Sequence, residues 1–209
     1  MALPVFLWII SKPYFLQLAK ITQLNHNLRH FKYNKDLFDT AVMGQPKFAV
    51  PAAEWSIVLG NAEANNIITM VSSPYCQPCA KAHAQIDEAI NNLDNIQVRI
   101  VFVGKNNDEK DTKTQVHRHL MALNELPDKT IIKRALHDWY IQKQKNYDVW
   151  AKAYPVPIAI GINNNRHKLE EQKAWVDLAG IKATPTLLVN GYKLPRQIYQ
   201  LNELKYMLD

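Results

Sequence analysis

Two runs of β-branched and apolar residues mark buried strands, one over Ile67–Ser73 and one over Ile96–Val103. Pro74-Tyr75 breaks the first run, and from Ala80 to Ile90 the chain is rich in good helix formers. Along this stretch and its flanks Cys79, His83, Ile86, Ile90 and Leu93 recur at three- and four-residue spacing, which places them on one helix face. A third strand opens at Thr184-Pro185 and runs through Leu187-Leu188-Val189. Asn190-Gly191 then closes a hairpin of type I′ geometry. Between the second and third strands the pattern is helical over 112–126, 129–144 and 168–179, with Pro155 and Pro157 interrupting it.

The start of the chain has a different character. Ala2 to Ile10 is wholly apolar, yet far shorter than the ~20 residues of a membrane span. It lacks the basic start and small-residue cleavage site of a signal peptide. A buried strand, an amphipathic anchor and the end of a longer membrane helix all fit it. A helix is predicted over 14–33, with Leu16, Ala19, Ile21, Leu24, Leu28 and Phe31 as an approximate apolar stripe. A short helix over 35–43 and a linker over 44–53 follow. The chain divides on this reading into a segment 1–53 and a domain 54–209, with a helical insertion at about 107–180.

Net charge of +6 in 209 residues raises the question of nucleic acid. The basic residues are scattered and no aromatic-interleaved basic patch occurs, so the charge reads as a solvated surface and no nucleic-acid partner is expected. Mild attraction to anionic lipid suits it better. No Gly/Ser-rich linker or internal repeat breaks the chain, and its length can bury a sizeable core.

Cys76 and Cys79 are the only cysteines, and they enclose Gln77 and Pro78 at the strand-to-helix junction. A zinc site usually needs four ligands, and no second cysteine pair exists. The tightest histidine cluster, His117-Arg118-His119, lies in a charged segment that reads as a solvated helix, so no metal is expected. A structural disulfide across two residues would close a very short loop and gain little. A redox-active dithiol remains. Cys76 falls at a helix N-terminus, where free N–H groups and the helix dipole stabilise a thiolate, and Cys79 lies one turn inside, within reach of a mixed disulfide.

The Cys-x-x-Cys at this junction, followed by Ala183-Thr184-Pro185-Thr186-Leu187-Leu188-Val189-Asn190-Gly191, resembles the thioredoxin fold, with Pro185 in the place of its cis-proline. The resemblance implies a central mixed sheet flanked by helices. The separation of 106 residues (185 − 79) is longer than in a bare thioredoxin, and the inserted helices resemble DsbA- and DsbG-type oxidoreductases. In those relatives a helical subdomain caps the dithiol. Trp139, Trp150 and Trp175 in the insertion read as core aromatics. The stretch from Trp55 to His83 also resembles the thioredoxin-like domain fused to bacterial vitamin K epoxide reductase membrane proteins. That likeness implies an extracytoplasmic, membrane-tethered domain exchanging electrons with a quinone-linked enzyme, possibly in the same full-length chain.

Two departures from the family bear on mechanism. The buried acid that thioredoxins carry six residues before the first cysteine is Met70 here, and the Trp directly before that cysteine is Tyr75. His83 is a candidate replacement acid–base group, set against a purely structural role. Pro78 matches the thioredoxin pattern and Gln77 adds no positive charge, which points to the reducing half of the family's range. The expected activity is thiol–disulfide exchange with protein thiols and disulfides: Cys76 as nucleophile, Cys79 as resolving thiol, Thr184 and Pro185 presenting backbone to substrate. Tyr75, Gln77, Pro78 and His83 support them, and no cofactor is needed beyond the dithiol, a quinone being reached only through the membrane partner. A DsbG-like isomerase or reductase and a peptide-binding chaperone with a static disulfide are the alternatives.

Overall fold

The computed structural model describes residues 3–104, 108 and 111–208. The chain divides into two compact units, residues 1–41 and 42–209. The first contains α1 (Leu3–Lys32), one continuous helix that takes in the apolar start and runs through Pro13. The apolar run is therefore neither a strand nor separate from the helix predicted after it. Many of its large side chains are exposed, among them Leu7, Trp8, Ile10, Tyr14, Phe15 and Leu24. Among the described residues, no helix is long and apolar enough to cross a membrane. A second helix, α2 (Lys35–Met43), begins in this unit.

The second unit is built on one five-stranded sheet: β1 (Ile57–Gly60), β2 (Asn66–Ser72), β3 (Ile96–Phe102), β4 (Thr186–Val189) and β5 (Tyr192–Lys193), in spatial order β1-β3-β2-β4-β5. β2 and β3 run parallel, paired from Asn66↔Ile96 to Ser72↔Phe102, and the other pairs are antiparallel. The parallel pair needs a crossover, and α3 (Gln77–Asn92) supplies it. Residues on β2 and β3 are buried on both faces, which is why these strands read as unbroken apolar runs. Val71, Val101 and Leu188 share a cluster with Trp175 and Val176. Alternation along the strands turns Met70, Ile100 and Leu187 to the other face.

Four helices lie between β3 and β4: α4 (Thr112–Asn124), α5 (Lys129–Ile141), α6 (Tyr147–Ala153) and α7 (Arg166–Leu178). The short α6 is absent from the sequence pattern, and α5 stops three residues before its predicted end. Trp139, Trp150 and Trp175 are all buried, as core aromatics should be. Burying a large apolar side chain fully contributes roughly 1.5–3 kcal/mol each. The solvated reading of His117-Arg118-His119 is wrong, since all three are buried in α4. His117 stacks on Phe102 at 4.7 Å, and His119 is bridged by Tyr147 and the Tyr154 carbonyl.

The segment expected as a free linker over 44–53 lies along the sheet edge within the second unit. Lys47 forms a bridge with Tyr192, and Phe48 N–H donates to Gly191 O at 2.8 Å. Asn190 and Gly191 both take positive φ (51° and 85°), as a type I′ turn requires. A Cβ at Gly191 would come within 2.4 Å of the Phe48 carbonyl oxygen, so this approach admits only glycine.

Candidate active site

β2 ends at Ser72, Pro74 stops it, and the chain turns at once into α3, with Cys76 as the N-cap. Cys76 Sγ accepts from the Cys79 N–H at 3.3 Å and reaches the Thr184 carbonyl at 3.5 Å. Pro78 occupies the second helical position and removes one N–H from the set facing the sulfur. Both cysteines are free thiols in this structure; Cys76 is half-buried and Cys79 fully buried. Burial is the chief cause that pushes the Cys79 thiol up to about 11, with the Cys76 side chain adding to it. Hydrogen bonds from Ser73 backbone and from the side chains of Thr184 and Ser72 act in the other direction.

The Thr184–Pro185 peptide bond is cis. Pro185 is buried beside the dithiol segment, and Arg196 Nη1 donates to its carbonyl at 2.9 Å. Tyr75 is exposed and meets Trp139 edge-on at 5.5 Å, while Trp139 Nε1 donates to the Pro74 carbonyl at 2.8 Å. Gln77 and Pro78, which follow Cys76, are both exposed. A groove of about 500 Å³ runs past Cys76 between Tyr75, Lys81, Tyr140, Ile141 and Lys143. A second, of about 310 Å³, lies between Pro78, Lys81, Leu187, Arg196 and Tyr199. The sulfur that is accessible thus lies beside space for an extended polypeptide.

Met70, where the family's acid would stand, is fully buried in the sheet. His83 is buried on the same face of α3 as Cys79, its ring packed on Tyr140 at 4.8 Å. Its Nδ1 faces Asp87 Oδ2 at 3.6 Å, and exposed His137 faces the same oxygen at 3.4 Å. Burial pushes the Asp87 carboxyl up, but hydrogen bonding and charge from His83, with His137 and Lys133, outweigh it and leave the acid below its ordinary range. Among the described residues no hydrogen bond joins His83 to either sulfur; its Nε2 is buried without a partner. Sequence reasoning missed Ser72, whose hydroxyl is 2.6 Å from that of Tyr140 and acts to lower the Cys79 thiol.

A family model described as thioredoxin matches residues 52–209. A search of curated proteins finds no match. Among solved structures, oxidised BdbD from Bacillus subtilis is 17% identical and aligns with a TM-score of 0.55 over 77% of this chain and 94% of that one. DsbA from Chlamydia trachomatis is 20% identical, with a TM-score of 0.53 over 77% of this chain and 98% of that one. A periplasmic thioredoxin-like protein from Salmonella enterica serovar Typhimurium is 11% identical, with a TM-score of 0.59 over 83% of this chain and 98% of that one. At such identities these likenesses bear on the fold alone.

Proposed function

The chain belongs to the thioredoxin family and is a thiol–disulfide oxidoreductase; from that premise we propose that Cys76 is its nucleophile and Cys79 its resolving thiol. One observation carries this reading. The accessible sulfur caps a helix next to the Thr184 carbonyl, while the other sulfur is buried one turn away. Cys76 attacks a substrate disulfide and forms a mixed disulfide. Cys79 thiolate then attacks Cys76 Sγ, the Cys76–Cys79 bond forms, and the substrate leaves as a second thiolate. Thr184 and Pro185 present backbone to the bound polypeptide, and Tyr75, Gln77 and Pro78 line its path. The substrates are protein thiols and disulfides.

The trapping experiment tests the division of labour. Reduced Cys79→Ser, challenged with a disulfide-bonded substrate protein, should accumulate a mixed disulfide, and reduced Cys76→Ser should accumulate none. Faster alkylation of Cys79 than of Cys76 in the folded protein would reverse the assignment.

The same reading extends to partner and location. The domain works on the extracytoplasmic face and passes electrons to or from a quinone-linked membrane enzyme, to which residues 1–53 tether it. Support comes from α1, which exposes Leu7, Trp8, Ile10 and Phe15 and carries Lys12, Lys20, Arg29 and Lys32 without one acidic residue. Apolar side chains with cations and no anions suit an anionic lipid surface.

A further inference from the structure

Basic residues that lie scattered along the sequence gather around Cys76 in the fold. Lys81 on α3 lines both grooves that flank the nucleophile. Lys143 and Lys145 line the groove beside Tyr75, and Arg196 lines the one beside Pro78. Among the described residues, neither groove is lined by an acidic side chain. Lys81, Lys143 and Arg196 are exposed, and among the described residues none of them pairs with a carboxylate. On α7, by contrast, Lys168 meets Glu125 and Lys173 meets Asp177.

The backbone around the site holds these cations in place. Arg196 Nη1 donates to the Pro185 carbonyl at 2.9 Å, which ties the guanidinium to the cis-proline. Lys145 donates to the Trp139, Tyr140 and Gln142 carbonyls that end α5, and so fixes the turn that carries Lys143. The first turn of α3 supplies no carboxylate, and a helix N-terminus itself favours anions.

A polypeptide laid through the grooves strips water from these cations. Without an anion to replace that water the loss is unfavourable, so a neutral or basic segment is disfavoured and an acidic one is not. A cleft of one sign between low-dielectric walls also raises the local concentration of oppositely charged partners. Tyr75 and Ile141, both exposed, add apolar surface for the side chains between the charges. Concave grooves of about 500 and 310 Å³ on either side of a sulfur suit an extended chain better than a lipid surface.

We propose that Lys81, Lys143 and Arg196 select substrate proteins whose reactive cysteine is flanked by aspartate or glutamate. The inference rests on Cys76 being the nucleophile, since that is the sulfur the cations surround.

Two symmetric peptide disulfides, identical except for Glu or Lys on either side of the cysteine, test it. The reduced full chain converts each to two peptide thiols, and its own dithiol becomes the Cys76–Cys79 disulfide. Dividing each rate constant by that for dithiothreitol, a neutral dithiol, removes the peptides' own difference in reactivity. The Glu peptide should react about tenfold or more faster at low ionic strength. The ratio should approach one in 1 M salt, where the Debye length is about 3 Å. Lys81→Gln with Lys143→Gln should lower the ratio at least threefold, and Lys81→Arg with Lys143→Arg should retain it. Lys168→Gln with Lys173→Gln removes the same charge from α7, which lines neither groove, and should leave the ratio within twofold of the parent's. A parent ratio below twofold overturns the inference. So does an equal fall in the α7 variant, which marks net charge alone. A ratio that survives loss of Lys81 and Lys143, while sedimentation with phosphatidylserine vesicles is lost, assigns these cations to lipid and overturns it too. A Cys76→Ser chain that reduces either peptide at the parent rate instead defeats the reading of Cys76 as nucleophile.

Discussion

At the scale of single residues, redox poise is set by how many donors face the Cys76 sulfur. The N-cap position offers the first-turn N–H groups, and Pro78 withdraws one of them while Cys79 N–H supplies a contact at 3.3 Å. Replacing Pro78 by His restores an N–H and adds an imidazole near the sulfur. Both favour the thiolate, hence the reduced form, and should raise the reduction potential, with about 30 mV for every 1.4 kcal/mol of added stabilisation. Equilibration with glutathione measures this directly; an unchanged or lower potential would refute the donor argument. The cysteine pair was legible because it holds the chain's only two cysteines at local spacing, and Pro185 because its Thr-Pro step opens an apolar strand that ends in an Asn-Gly turn. Ser72 and Tyr140 were not. A serine closing an apolar strand and a tyrosine beside a tryptophan carry no local signal, and their sequence separation of 68 is bridged only by the fold.

Among elements, α4 shows where polarity misleads. Its His117-Arg118-His119 looks solvated, yet α4 packs between α5 and α7 and all three side chains are buried. Histidine can enter a core because it can be neutral. Burial pushes His117 down to about 3, the Asp111 charge opposing this and Lys113 adding to it. The unfolded value is about 6.5. Between these values the unfolded chain binds the proton and the folded chain does not, so stability is complete above about pH 6.5 and falls as pH drops towards 3. His117→Asn should lose stability at pH 7 through poorer packing on Phe102, but its stability should decline less between pH 7 and 4. Urea unfolding at both pH values tests this; an equal decline in parent and variant would show that His117 does not titrate on unfolding.

The strands and hairpin, by contrast, were readable from period and turn chemistry. Asn190-Gly191 has the residue pair and the backbone angles of its turn type. Gly191→Ala should cost on the order of 1–3 kcal/mol, since a side chain there meets the Phe48 carbonyl and an unfavourable φ together. Urea unfolding with no loss of stability would contradict that close approach. The contact itself could not be foreseen, because 44–53 has the composition of a linker. The short α6 escaped notice for a related reason: seven residues between a charged stretch and two prolines give too few turns for a helical period to emerge.

For the whole molecule, the question is what residues 1–41 contribute to a chemistry housed in 42–209. The sheet, the dithiol and the Ser72–Tyr140 pair all belong to the second unit, which has its own core. The first unit exposes large apolar side chains along a helix bearing only cations. An exposed apolar array of this kind marks an interaction surface. Deleting residues 1–12 removes Leu7, Trp8 and Ile10 but nothing of the dithiol. The truncated chain should reduce insulin disulfides at the parent rate, and it should lose most of its sedimentation with anionic phosphatidylserine vesicles. Coupling to a quinone-linked membrane enzyme should fall with it, because tethering raises effective concentration without any new contact at the dithiol. Equal vesicle binding by both chains would remove the lipid surface as the role of this segment. Loss of insulin reduction on truncation would instead mean that the oxidoreductase fold depends on the first helix.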